Sequence, residues 1–133
     1  MRLRAADGGR HPFHSLGGAV PNPRTSLVYE GIALCRKGNV GFLLAVGEGS
    51  AIGSAKTIGC GVANEGDVWD FYDYKRKASA RMPLGVILTT AAAGSEMSDS
   101  SVITGEEGKV KRGYGSDFGR PEFAVMNPEL QPF

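Results

Sequence analysis

The middle of the chain alternates between apolar residues at helical spacing and unbroken apolar runs. Between Pro23 and Gly38 the pattern predicts a helix, with Asn22 as its cap. The apolar positions of this helix are Leu27, Val28, Ile32, Leu34 and Cys35. The runs NVGFLLAVG and PLGVILTT have the length of strands and are typical of strands covered on both faces in a parallel sheet.

The remaining segments predict shorter elements. Ser50 is the predicted cap of a second helix that continues through Lys56 and ends at Gly59 and Gly61. The stretch DVWDFYDY predicts a surface helix that lays one aromatic edge on the core. VITGEEGKVKRGY predicts a hairpin, and EFAVMNP predicts a last short strand. Helices between buried strands indicate the α/β class, in which ligands bind outside the carboxyl ends of strands.

Composition excludes several classes of function. The formal net charge is +1, from 15 basic and 14 acidic side chains, so no long-range field favours nucleic acid or an anionic membrane. Cys35 and Cys60 form no CxxC pattern and predict reduced thiols in the core. No apolar run approaches the roughly 18 residues of a spanning helix, and residues 1–15 predict a flexible arm without a signal sequence. We therefore expect a cytoplasmic protein.

The loop AVGEGSAIGSAK is the first candidate for chemistry. Gly47, Gly49 and Ser50 lie between a predicted buried strand and a helix start, where free N–H groups and the helix dipole favour an anion. This is physically a phosphate site. The spacing is neither GxGxxG nor GxxxxGK[ST], however, and strand-turn-helix junctions also use Gly and Ser for geometry alone.

Longer motifs carry a family resemblance. VPNPRTSLVYEGIALCRKG, FLLAVGEGSAIGSAK, DVWDFYD and ILTTAAAGSEMSDSSVIT, followed by KRGYGSDFGRPEFAVMNPEL, resemble the iron-containing alcohol dehydrogenase family, most closely its butanol dehydrogenase branch, from about Leu16 to Leu130. The resemblance implies an N-terminal α/β domain that binds NAD or NADP and a C-terminal helical domain that holds a divalent metal. Only part of the first is matched, which implies an incomplete Rossmann-like parallel sheet with flanking helices and a β-hairpin over residues 16–133, after an unmatched arm.

The resemblance places the glycine loop on the dinucleotide. Gly47, Gly49 and Ser50 fall on the family's GGGS pyrophosphate loop, with Glu48 in place of the middle glycine. Gly53 replaces an aspartate of the family's cofactor site. Two unit charges about 4 Å apart repel by roughly 4 kcal/mol at an effective dielectric near 20. Glu48 is therefore expected to weaken phosphate binding, in addition to the steric effect of its side chain.

The resemblance also assigns residues to the sugars of the cofactor. Thr89 matches a threonine that flanks the cofactor, Ser98 lies where a polar side chain approaches the nicotinamide ribose, and Lys111 matches a lysine beside that ribose. Gly17 and Gly18 align with the segment that meets the adenosine ribose. An aspartate there would repel a 2′-phosphate, and its replacement by glycine favours NADP over NAD.

The metal of the family has no predicted ligands here. In the family it polarises the substrate oxygen during hydride transfer, and its aspartate and three histidine ligands follow the NPEL segment. Here only Gln131, Pro132 and Phe133 follow, and the two histidines, His11 and His14, lie in the arm. The HPFH spacing could offer two ligands, but a short exposed pair without Cys or carboxylate companions is more often merely solvated. We expect no catalytic residue and no metal site, and the C-terminal metal-binding domain to be absent.

Three hypotheses follow for function. The chain is a truncated cofactor half of an NADP- or NAD-dependent alcohol or aldehyde oxidoreductase, a binding module that keeps dinucleotide affinity without turnover, or an interaction module that has lost it. Family members begin with a further strand and helix, and their absence would leave a hydrophobic sheet edge uncovered. We therefore expect low stability, self-association or a complementary C-terminal half as partner.

Overall fold

The computed structural model describes residues 2–4, 13–17, 23–91, 94–106 and 109–130. The strands are β1 (Arg2–Arg4), β2 (Phe13–Ser15), β3 (Phe42–Gly47), β4 (Leu84–Leu88), β5 (Ser100–Thr104), β6 (Lys111–Gly115) and β7 (Phe123–Met126). The helices are α1 (Thr25–Lys37), α2 (Gly49–Ala63) and α3 (Trp69–Tyr72), and a short 3-10 helix spans Pro128–Leu130.

The main sheet has five strands in the order β2-β1-β3-β4-β7. Strands β3, β4 and β7 are parallel, with Leu44 opposite Gly85 and Val86 opposite Ala124. Leu43, Ala45, Leu84 and Val86 are fully buried, as expected for strands of a covered parallel sheet. The predicted α/β class with an incomplete Rossmann-like sheet is confirmed.

The first residues depart from the predicted flexible arm. Arg2–Arg4 pairs antiparallel with β3, and Phe13–Ser15 pairs antiparallel with β1. The edge of β3 that was expected to be uncovered is therefore covered by β1. The sequence pattern could not indicate this, because backbone groups of β3 hold β1 by hydrogen bonds that do not depend on an apolar period. Gly18 and His11 lie outside the described residues. Helix α1 begins at Thr25 with Arg24 as its N-cap residue, so the prediction that Asn22 caps it is wrong.

Helix α2 is longer than predicted and nearly surrounded by protein. It begins at Gly49, with Glu48 as its N-cap residue, so the prediction that Ser50 caps it is wrong. All residues from Ala51 to Gly61 are buried, since the helix packs on α1, on β3 and β4, and on β5. The predicted end at Gly59 and Gly61 is also wrong, because the helix continues to Ala63.

The glycines inside the two long helices serve packing. A Cβ added to Gly31 of α1 would lie 2.3 Å from Cδ1 of Ile58, and one added to Gly61 of α2 would lie 2.3 Å from Cδ1 of Ile32. Each helix thus receives an isoleucine of the other at a position without a side chain. The close contact between the two helices explains why Gly61 lies within α2 and does not end it.

The remaining predicted elements are present. The DVWDFYDY segment forms α3, but it is more deeply packed than the predicted surface helix, since Phe71 and Tyr72 are fully buried. Strands β5 and β6 form the predicted hairpin as a separate antiparallel sheet. The backbone N–H of Thr104 donates to the carbonyl of Pro23 over 2.7 Å, which attaches the hairpin to the start of α1.

Candidate functional site

The carboxyl ends of β3 and β4 meet at the glycine loop. Gly47 lies opposite Leu88, and the N–H of Thr89 donates to the carbonyl of Gly47 over 3.0 Å. Gly47 has a φ of +152°, and an added Cβ would lie 2.9 Å from Cβ of Ala51. A side chain is therefore excluded twice at Gly47, by conformation and by contact. The chain turns here from the strand directly into α2.

A cleft of about 310 Å³ opens at the start of α2. Its lining residues come from the segment before α1, from α2, from the polar segment before β5, and from β5 and β6. They are Pro23, Gly49, Ser50, Gly53, Ser95, Ser100, Ser101, Val102 and Lys111. The cleft thus joins the first turn of a helix, several hydroxyl groups and one cation. Three predicted cofactor residues, Gly49, Ser50 and Lys111, lie together in it.

The first turn of α2 can receive an anion. The first N–H groups of an α-helix have no partner within the helix, and the helix dipole is positive at this end. The first turn of α2 contains no acidic side chain, and no side chain caps it by a hydrogen bond. Its N–H groups, together with Lys111, fit a phosphate or diphosphate.

Glu48 stands beside this turn without entering the cleft. Its carbonyl accepts the N–H of Ile52 over 3.0 Å, while its side chain is exposed. Glu48 is not among the lining residues of the cleft, and the steric effect of its side chain on a bound phosphate stays a prediction. The negative charge at the N-cap position remains, and it opposes a bound anion.

Gly53 leaves open space on the cleft. A Cβ added at this position would meet only the carbonyl oxygen of Val102, at 3.9 Å. A Cβ therefore fits here, at the position where the family resemblance expects an aspartate. Its replacement by glycine removes one carboxylate from the cleft and leaves the helix intact.

The other predicted residues lie at different distances from the cleft. The Ser98 hydroxyl does not line it and instead lies 3.0 Å from Nζ of Lys56. Thr89 lies one residue beyond β4, beside Gly47, and is also outside the lining. Gly17 is exposed, with no atom within 4 Å of an added Cβ. The structure thus separates Gly17, Thr89 and Ser98 from the residues that line the cleft.

The sequence analysis missed Lys56. This side chain is 3% exposed, although it is a lysine, and its Nζ donates to the carbonyls of Ser95, Ser98 and Ser100. Burial, and next the charge of Arg81, lowers the pKa of Lys56 to about 8, while Asp99 and Glu96 oppose that change. A single cation within the small, apolar residues of AIGSAKTIGC was the available signal.

A hydrogen-bonded chain of hydroxyl groups supports the cleft from below. Tyr72 hydroxyl lies 2.7 Å from Thr57 Oγ1 and 2.5 Å from Ser101 Oγ, and Thr57 Oγ1 donates to the carbonyl of Gly53. Burial raises the pKa of Tyr72 to about 12, against the opposite effect of its hydroxyl partners. These contacts connect α2, α3 and β5 and hold Gly53 and Ser101 in place.

A metal centre is not formed by the described residues. No group of three or more His, Cys, Asp or Glu side chains in residues 2–4, 13–17, 23–91, 94–106 and 109–130 could hold a metal ion. His14 packs against Gly38, whose added Cβ would lie 2.7 Å from its Nε2. The residues present therefore do not fit the divalent metal of the family.

Known proteins share this α/β fold and place the chain in a family. The family model described as "iron-containing alcohol dehydrogenase" matches residues 6–128. The chain is 46% identical over 115 residues to "Probable NADH-dependent butanol dehydrogenase 1" of Bacillus subtilis, covering 86% of this chain and 30% of that protein. It is 44% identical over 116 residues to "NADH-dependent butanol dehydrogenase A" of Clostridium acetobutylicum, covering 87% and 30%. The chain belongs to the iron-containing alcohol dehydrogenase family, as its motifs predicted.

Solved structures show the same fold. The NADH-dependent butanol dehydrogenase A of Thermotoga maritima superposes with a TM-score of 0.83 at 36% identity, over 85% of this chain and 28% of that one. The sulfoacetaldehyde reductase of Bifidobacterium kashiwanohense, solved in complex with NAD+, gives a TM-score of 0.81 at 28% identity, over 86% and 31%. The chain thus spans about 30% of the length of its relatives. Among the described residues no helix is long and apolar enough to cross a membrane.

Proposed function

We propose that this chain is the dinucleotide-binding part of an alcohol or aldehyde oxidoreductase and that the cofactor diphosphate binds at the start of α2. The observation that supports the proposal is the cleft, which brings Gly49, Ser50 and Lys111 together. Backbone N–H groups of the helix and the Lys111 ammonium are donors that match phosphate oxygens. Ser95, Ser100 and Ser101 add hydroxyl groups of the kind that pair with ribose.

Hydride transfer needs more than this part of the fold. A bound nicotinamide would supply the hydride chemistry, and Gly49, Ser50 and Lys111 would hold the diphosphate of the cofactor. The metal that activates the alcohol oxygen in this family has no ligands among these residues. We accordingly propose that turnover requires further polypeptide corresponding to the remaining length of the relatives, as a complementary C-terminal half.

The identity of the dinucleotide has two opposed lines of support. The relatives from Bacillus subtilis and Clostridium acetobutylicum are named as NADH-dependent, which supports NADH for this chain. Gly17 and Gly18 support NADPH, since the resemblance places them at the adenosine ribose without a carboxylate that would repel a 2′-phosphate. Titration of the same preparation with both reduced cofactors gives the ratio of the two dissociation constants directly.

The alternative is a module that has lost cofactor binding. Glu48 and Gly53 favour it, because one adds a negative charge beside the phosphate position and the other removes a carboxylate of the cofactor site. The two departures are reversible by substitution. A Cβ added at Gly53 has no neighbouring atom closer than 3.9 Å, and Glu48 is exposed, so both positions are suitable for substitution.

The proposed function is tested by calorimetric titration of the chain with NADH and NADPH. Measurable heat in the wild-type chain supports the proposal, and the double variant Glu48→Gly with Gly53→Asp should bind more tightly. Glu30→Gln, an exposed glutamate of α1, is the matched control and should leave the affinity unchanged. No heat up to millimolar cofactor in either the wild type or the double variant would remove the cofactor-binding hypotheses and leave an interaction module.

A further inference from the structure

Lys56 connects the centre of α2 to the polar segment that walls the cleft. Its Nζ lies 2.7 Å from the carbonyl oxygen of Ser95, 2.8 Å from that of Ser98 and 3.0 Å from that of Ser100. The Ser98 hydroxyl lies 3.0 Å away as a fourth acceptor. An ammonium group has three N–H donors, so these contacts use its full hydrogen-bonding capacity.

The burial of the Lys56 ammonium group needs a physical explanation. An ionised lysine is almost never fully buried unless it is paired, because removal of its hydration is unfavourable. Here backbone oxygens replace the water, and the ammonium sits among Arg81, Arg120, Asp99 and Glu96. A leucine or methionine would fill the same space without that cost. What only the ammonium can do is hold several carbonyl groups at one point.

The segment that it holds forms part of the cleft. Ser95 and Ser100 both line the cleft, and their carbonyls are both bound by Lys56. Ser95 also lies against the helix start, since a Cβ added at Gly49 would be 3.5 Å from the Ser95 hydroxyl oxygen. The width of the cleft between the first turn of α2 and this segment is therefore fixed by the lysine one or two turns further along the same helix.

We propose that Lys56 is a positioning residue that fixes residues 95–100 as a wall of the cofactor cleft and thereby sets the affinity for the dinucleotide. The second half of this proposal, the effect of Lys56 on dinucleotide affinity, rests on the proposed function. The first half, the holding of the segment, is a property of the chain without cofactor. The ligand class is a nicotinamide dinucleotide, whose riboses would meet the serine hydroxyls of this wall.

The test compares the wild type with Lys56→Met, Lys56→Ala and the control Lys37→Met, an exposed lysine at the end of α1. Amide hydrogen exchange of residues 95–101 reports the order of the segment, and titration with NADH and NADPH reports affinity. In Lys56→Met we expect exchange to be at least tenfold faster in this segment and binding to be at least tenfold weaker. The Lys37→Met chain should behave as the wild type does.

Chemical rescue separates positioning from general destabilisation. Propylammonium should enter the space left in Lys56→Ala, restore slow exchange of residues 95–101 and restore affinity, with no such effect on the wild type. Unchanged exchange in Lys56→Met, or exchange and affinity that propylammonium leaves unimproved in Lys56→Ala, would overturn the inference. Unchanged affinity despite faster exchange would overturn its second half. Absence of binding by the wild type would instead overturn the proposed function, with the exchange data still deciding the role of Lys56.

Discussion

At the scale of single residues, two glycines of the cleft region differ in whether their position accepts a side chain. Gly47 combines a φ of +152° with the 2.9 Å approach of Ala51 to any added Cβ. Gly53 lies within a helix, where glycine is unfavourable relative to alanine by about 1 kcal/mol. The nearest atom to its added Cβ is 3.9 Å away. The same substitution should therefore change stability in opposite directions at the two positions.

The substitution Gly47→Ala should lower the free energy of unfolding by about 1–3 kcal/mol, because it adds both backbone strain and a contact with Ala51. Gly53→Ala should raise it by up to about 1 kcal/mol. Urea denaturation of both variants and the wild type gives the comparison. Equal stability of Gly47→Ala and the wild type would show that the turn tolerates a side chain and that the junction is wider than described.

The charge of Glu48 makes a separate residue-scale prediction. Glu48→Gln should strengthen binding of NADH or NADPH by about tenfold at low ionic strength, since it removes a negative charge near the phosphate position. The gain should shrink at high salt because the side chain is exposed and screened. Titrations at two salt concentrations measure the effect. A gain that salt leaves unchanged would contradict an electrostatic cause.

The two thiols give a pH dependence. Both cysteines are free and buried, as predicted, and burial raises the pKa of Cys35 and Cys60 to about 11 from an ordinary 9.0. Between pH 9 and pH 11 the two thiols keep their protons in the folded chain, whereas they lose them in the unfolded chain. The free energy of unfolding should therefore fall as pH rises from 9 to 11, by about 1–3 kcal/mol from these groups. Urea denaturation across this range should show a smaller fall in a Cys35→Ala, Cys60→Ala variant, and parallel curves would contradict the assignment.

At the scale of elements, the packing of α1 on α2 depends on residues without side chains. Gly31 faces Ile58, and Gly61 faces Ile32, so that each isoleucine fills the space above a glycine of the other helix. Ile58 is fully buried, so its side chain is enclosed by other residues. An extra methyl group at Gly31 must therefore be accommodated by displacement of a helix.

The substitution Gly31→Ala should lower the free energy of unfolding by about 1–2 kcal/mol, the overpacking cost reduced by the better helix propensity of alanine. Ile58→Val, which removes the atom nearest to the new methyl group, should recover much of that loss in the double variant. A double-mutant cycle by urea denaturation measures the coupling. Strictly additive changes would mean that the two residues are not in contact.

The elements differ in how far the sequence predicts them. Strands β3, β4 and β7 and the hairpin were predicted because their patterns are local. The end of α2 is not predicted correctly, because glycine in a sequence indicates a helix end, whereas Gly59 and Gly61 lie inside α2 and neighbouring side chains pack against both. Likewise, the cleft residues Gly49, Ser50 and Lys111 were found from motifs. Lys56 was not, because its role depends on carbonyl groups about 40 residues further along the chain, at Ser95 to Ser100.

At the scale of the whole molecule, β7 is one of the two outermost strands of the sheet in the described part of the chain, and β2 is the other. The β7 side chains Phe123, Val125 and Met126 are each about half exposed. An edge strand with apolar side chains is a surface on which another strand can pair. β1 covers the edge of β3 that was expected to be exposed, so the edges of the described sheet are β2 and β7, and β7 carries three half-exposed apolar side chains.

We expect the chain to self-associate through this edge, with an average mass in analytical ultracentrifugation that rises with concentration. Val125→Lys should reduce the association at least severalfold, because it places a charge in the strand–strand contact. Val110→Lys changes a similarly exposed valine of the hairpin turn and should have no effect. A wild-type chain that stays monomeric at all concentrations would contradict the prediction.

The hairpin β5–β6 has a consequence for protein engineering. It lies outside the main sheet and is fastened to the body through the carbonyl of Pro23, the hydroxyl of Tyr74 and the backbone of Ala78. Val102 and Lys111 of the hairpin nevertheless line the cleft. Both side chains are exposed, so substitutions at Val102 and Lys111 would change the lining of the proposed cofactor cleft and leave every strand of the main sheet unchanged. A combinatorial library directed at a new cofactor would begin with these two residues.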